Sequence, residues 1–158
     1  YTKIMLNKIF ILTLFLVLTS CGYKAIHSKK NFSNYDFSIK ELSFAGDREI
    51  NLKIKETLNN YTLTEKDKNF TLKISSEIEK VVVAKNTAGD PVSFKSTVII
   101  NIETFLGTNY ENKIRIVENF TYNNINDKFD LKRQEKQIKN NLAETASEKL
   151  IFKLSNIR

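Results

Sequence analysis

At 158 residues, with 41% hydrophobic and 27% charged side chains, the chain is long enough to bury one core and short for two ordinary domains. Its net charge of +7 reflects 25 lysine and arginine residues against 18 aspartate and glutamate, and the single cysteine excludes an internal disulfide. One histidine, one cysteine and scattered carboxylates leave a clustered metal centre or a framed thiol–histidine pair without the residues it needs.

The N-terminal segment is built as a secretion signal. Lys3 and Lys8 supply a positive start, Ile9 to Leu18 an apolar run too short to span a bilayer comfortably, and Thr19 and Ser20 the small residues a signal peptidase requires. Leu18-Thr19-Ser20-Cys21, followed by Gly22, resembles the bacterial lipobox, in which the cysteine thiol receives diacylglycerol and becomes the first mature residue. Cys21 is therefore read as the lipidation site. An unmodified thiol there would be a liability in an oxidising envelope. Acyl chains contribute about 0.8 kcal/mol per buried methylene, so two or more anchor durably. Gly22 rather than aspartate behind the cysteine points to the outer membrane. Met5 is an alternative start, with residues 1–4 upstream of it. Loss of residues 1–20 removes Lys3, Lys8 and no acid, leaving 23 basic and 18 acidic side chains. Nucleic acid is not the partner expected of such a secreted chain.

Residues 21–34 are polar and basic and read as a lipidated tether, leaving 35–158 for a single α+β domain. Phe37, Ile39, Leu42 and Phe44 alternate except for a slip at Lys40 and Glu41, which predicts a strand with a bulge. Gly46 and Asp47 end that strand, and Asp47 is placed to cap a helix carrying Ile50, Ile54 and Leu58 at every fourth position and stopping near Asn59 and Asn60. Phe70, Leu72, Ile74 and Ile78 share one parity against Thr71, Lys73, Ser75, Glu77 and Glu79, the pattern of a half-exposed strand that Val81 to Val83 extend. The turn formers from Asn86 to Pro91 lead into a third strand on Val92, Phe94, Val98, Ile100 and Ile102, making a hairpin. After a turn over residues 107–112, Ile114, Ile116, Phe120 and Tyr122 continue the meander, with Glu118 on the apolar parity interrupting the pattern. Beyond the polar loop from Asn123 to Asp127, Leu131, Ile138, Leu142, Ala146, Leu150, Leu154 and Ile157 form a helical stripe, and Glu135 and Lys139 stand one turn apart on its exposed face.

The element order β-α-β-β-β-α predicts an α+β domain with both helices on one face of a four-stranded mixed sheet. The first helix links strands one and two by a crossover, so that pair is expected to run parallel.

Catalysis has no motif to stand on. His27 lies in the tether without a frame, no glycine-rich phosphate loop is visible, and Asp127 and Asp130 at a helix entrance read as capping residues rather than as an acid–base pair. The chain is therefore read as a non-enzyme without metal or cofactor. What remains is binding. Lys85 and Lys95 flank the hairpin around Gly89, and Lys128, Lys132 and Arg133 enter the last helix. Singly, each is ordinary surface charge; together, with the hairpin tip close to the helix entrance, they would form a basic site for a phosphorylated lipid, arginine gripping phosphate in bidentate fashion.

Several strings, in order, resemble the family of the lipopolysaccharide-assembly lipoprotein LptE. They are the Cys21-Gly22-Tyr23 start, the capped helix from Asp47 to Asn60, the segment from Val83 to Pro91, the loop Phe120-Thr121-Tyr122-Asn123-Asn124 and the stretch from Glu148 to Leu154. The resemblance implies an outer-membrane lipoprotein on the periplasmic face that plugs the β-barrel translocon LptD, assists its assembly and binds lipopolysaccharide. It also implies that Lys85, Lys95, Lys128, Lys132 and Arg133 are the nearest matches to basic positions the family associates with lipopolysaccharide, although the tip at Gly89-Asp90 carries no basic residue. The alternative is a free-standing envelope lipoprotein acting as a ligand-binding module or an enzyme inhibitor.

Overall fold

A computed structural model describes residues 35–157 except 64 and 108; the signal segment, Cys21 and His27 lie outside the described residues. Strand β1 (Ser38–Gly46) is followed by helix α1 (Arg48–Leu58), which runs into a single 3-10 turn (Asn59–Tyr61). Strands β2 (Asn69–Lys85), β3 (Pro91–Leu106) and β4 (Asn109–Asn123) and helix α2 (Lys128–Ser155) complete the order. The strands lie side by side as β1-β2-β3-β4, with β1 parallel to β2 and the other pairs antiparallel. This is the expected mixed sheet, in an α+β domain.

Local chemistry sets each junction. The β1 ladder skips between Ile39 and Glu41, so the bulge at Lys40 keeps Ile39 buried and lets Leu42 pack against the core. Gly46 then turns the chain at φ +90, where a Cβ would stand 1.9 Å from the Ser76 carbonyl oxygen. No other residue fits that crossing. Asp47 donates its backbone N–H to the same carbonyl at 3.0 Å, and its carboxylate accepts from the Ile50 N–H at 2.9 Å, capping α1. Asp127 caps α2 in the same manner, accepting from Phe129 and Asp130.

The core fills the space between the sheet and the two helices. Ile50, Ile54 and Leu58 of α1 are fully buried, and α2 contributes Ile138, Leu142, Ala143, Ala146, Leu150, Ile151 and Leu154. Burial of each large side chain stabilises by about 1.5–3 kcal/mol. At one end Phe37 stacks on Tyr61 with ring centroids 5.0 Å apart and meets the edge of Phe70 at 5.9 Å.

Four expectations change. Strand β4 begins at Asn109, inside the predicted turn, because Leu106 and Asn109 already pair in the ladder. Glu118 does not disturb the register: it pairs directly with Val98 and reaches across to Lys149 of α2 at 2.5 Å, the charge being met by a cation from the covering helix. Phe120 stays 52% exposed, because it sits on an edge strand beside α2 and lines a notch of about 230 Å³ with Ile138, Asn141, Leu142 and Thr145. Glu135 and Lys139 do not face open solvent on α2; each bridges to another element.

Candidate functional site

The hairpin and the entrance of α2 meet. Asn124 donates its backbone N–H to the Val92 carbonyl at 2.9 Å and its side-chain amide to the Pro91 carbonyl at 2.8 Å, tying the loop before α2 to the start of β3. Lys85 stands directly opposite Pro91 at the hairpin's end. The hairpin's end and the loop into α2 are thus neighbours.

Behind this contact lies a groove of about 350 Å³, lined by Glu49, Ile78, Lys80, Ser96, Lys132, Glu135, Lys136 and Lys139. Its floor is held by a polar chain. The Tyr122 hydroxyl donates to Glu135 Oε1 at 3.0 Å and lies 3.3 Å from Ser96 Oγ, while Lys80 Nζ reaches the same carboxylate oxygen at 2.5 Å and stands 4.0 Å over the Phe94 ring. Burial, together with the Glu135 carboxylate, raises the Tyr122 pKa and keeps the phenol protonated. On the α1 side Lys139 bridges Glu49 at 2.5 Å and Asp47 at 3.5 Å. Burial opposes its charge, but the hydrogen bond to Glu49 and the two carboxylates outweigh it, so the Lys139 pKa is raised. The same hydrogen bond and charge lower that of Glu49.

Two of the four groove lysines are thereby neutralised. Lys132 and Lys136 form no ion pair among the described residues and are the cations the groove can offer a ligand. Lys128 opens α2 and is exposed; Arg133 is held by Asp130 at 2.8 Å beside the Phe129 ring, which is 73% exposed. Lys95 is different. It pairs with Val81 and Thr121, and its neighbours Phe94 and Ser96 point into the helix layer, so Lys95 projects from the opposite face of the sheet. Of the five sequence-selected cations, Lys128, Lys132 and Arg133 share the entrance of α2. Lys85, directly opposite Pro91, has the outward parity of Lys95, and neither of the two lines the groove.

Lys80, Lys136 and Lys139 were not among the selected cations. Lys80 was visible in outline, since it continues the parity of Ile74 and Ile78 onto the helix side. Lys136 and Lys139 depend on how α2 rolls against α1, which no local pattern encodes. Among the described residues no group of three or more histidine, cysteine, aspartate or glutamate side chains could hold a metal ion, and no helix is long and apolar enough to cross a membrane.

Comparison with known proteins places the fold. No family model matches the chain, and no curated protein does. Among solved structures, rare lipoprotein B from Shewanella oneidensis is similar with a TM-score of 0.58 at 10% identity, over 73% of this chain and 93% of that one. A minor lipoprotein from Acinetobacter baumannii gives 0.56 at 9% identity, over 75% and 92% of the two chains. A putative lipoprotein from Caulobacter crescentus gives 0.53 at 12% identity, over 74% and 87%. The two-helix, four-stranded α+β fold of this chain is thus one that proteins described as lipoproteins share.

Proposed function

We propose that this protein is an outer-membrane lipoprotein, anchored through Cys21 on the periplasmic face, that plugs and helps assemble an LptD-type β-barrel and binds lipopolysaccharide on its way to the cell surface. The observation that carries the reading is the junction of hairpin and helix entrance, which sets the loop leading to Lys128, Lys132 and Arg133 against the start of β3 in a fold also found in lipoproteins. An anionic headgroup would meet Lys132 and Lys136 in the groove, where the neighbouring acids are already paired with Lys80 and Lys139. The exposed lysines, glutamates and asparagines of its surface suit a hydrated barrel lumen. The role is one of binding, without catalysis, metal or cofactor.

The test is extraction of the full chain in mild detergent. A large β-barrel protein should co-purify, and mass spectrometry should find the mature chain starting at an acylated Cys21. Recovery of the acylated protein as a stable monomer without a barrel would overturn the plug and favour a free-standing ligand-binding or inhibitory lipoprotein.

A further inference from the structure

The helix-free face of the sheet carries a second depression, of about 640 Å³, crossing all four strands. Two cross-strand rows form its banks. One is Ser43, Lys73, Glu103 and Lys113; the other is Ala45, Ser75, Asn101 and Arg115, each residue directly opposite the next in the ladder. Between the rows, Ile74 and Ile102 turn their side chains into the core at 2% and 1% exposure, so backbone floors the trough. Same-face neighbours on a strand stand about 7 Å apart and adjacent strands about 4.8 Å apart, which makes a channel one chain wide and about 14 Å long.

The outward-pointing residues of the two rows include no aromatic ring and no branched aliphatic group. They offer two hydroxyls, a carboxamide, a carboxylate and three cations. Lys113 approaches Glu103 at 3.5 Å, Lys73 stands 5.1 Å over Phe105, and Arg115 forms no ion pair among the described residues. Two cations, Lys113 and Arg115, share the β4 end, whereas the hydroxyls of Ser43 and Ser75 lie toward β1. Most of its exposed wall is carbon, from Ala45 and the stems of the long charged side chains, and this suits the C–H faces of sugar rings while the polar tips take their hydroxyls. A hydroxyl-rich anion finds donors, an acceptor and a charge at one end.

We propose that this trough binds an acidic oligosaccharide of two or three sugar units, its carboxylate or phosphate held by Arg115 with Lys113 at the β4 end, and its hydroxyls by Ser43, Lys73, Ser75, Asn101 and Glu103. The site lies on the opposite sheet face from the lysine groove and does not depend on the reading of that groove. Calorimetric titration of the full chain in detergent tests it, with trigalacturonate, maltotriose carrying one phosphate, neutral maltotriose and inorganic phosphate as probes. At least one acidic sugar should bind about tenfold more tightly than neutral maltotriose and inorganic phosphate, and the tighter of the two names the anion. Arg115→Gln should weaken that binding about tenfold. Ser75→Leu, which fills the channel at constant charge, should weaken it as well. Equal binding of inorganic phosphate, no binding of either acidic sugar, or indifference to both Arg115→Gln and Ser75→Leu would overturn the assignment.

Discussion

At single residues, the structure joins local chemistry to distant partners. Asp47 caps α1 and also receives Lys139 from α2 at 3.5 Å. Asp47→Ala should therefore cost at least the loss of an N-cap, about 1 kcal/mol, and lower the urea midpoint without changing the slope. Tyr61 makes a pH prediction. Burial, reinforced by nearby Tyr35, pushes its pKa from 10.0 up to about 12, so the folded state holds its proton more tightly than the unfolded chain. Stability from this residue is fully present below pH 10 and lost as pH rises toward 12. Following tyrosinate absorbance, Tyr61→Phe should remove a late step of the titration. Glu49 has the opposite sign: its pKa is lowered from 4.5 by Lys139, so its contribution is present above that value and lost as pH falls further. An acid limb unchanged in Lys139→Met would contradict this. The cap at Asp47 was legible because Asx chemistry acts within four residues; the Lys139 contact, across 92 positions, was not.

At the level of elements, periodicity carried most of the information. The stripe on α2 placed Leu142 in the core, where it is 8% exposed, and Leu142→Ala should destabilise by about 2–5 kcal/mol in chemical denaturation. A negligible loss would contradict the register of that helix. Gly46→Ala tests the crossover: the added methyl meets the Ser76 carbonyl and the backbone holds positive φ, so the loss should reach about 1–3 kcal/mol, well above an ordinary glycine-to-alanine change. The bulge at Lys40 was also legible, since a one-residue slip in alternation has one economical explanation in a strand. Periodicity failed where a residue on the inward parity met an edge or a charge. Phe120 has the parity of a core residue, yet its strand is the sheet's edge; Glu118 looks like an interruption until Lys149 arrives from α2.

For the whole molecule, the two sheet faces divide the work. The helix side holds the core and, at its open end, the lysine groove; the other side holds the polar trough. Replacing Lys128, Lys132 and Arg133 together with glutamine should weaken lipopolysaccharide binding and flatten its salt dependence, since fewer charges would remain to be screened. The thermal midpoint should stay within a few degrees, because these side chains lie off the buried stripe and surface changes are usually within about 0.5 kcal/mol. Undiminished binding at unchanged stability would reduce this set to ordinary solvated charge.

By itself the sequence determined the secondary structure, the caps, the bulge, the parallel first pair and the helix-facing core, because each follows from hydrophobic period, turn chemistry or the right-handed crossover rule acting over short spans. Only the tertiary structure decided which charges meet. It set the loop into α2 against the start of β3, sent Lys95 to the other face, paired Glu135 with Lys80 and Lys139 with Glu49, and left Lys132 and Lys136 in the groove. The physical reason is that a long charged side chain finds its partner through the packing and roll of whole elements, which chain distance does not record.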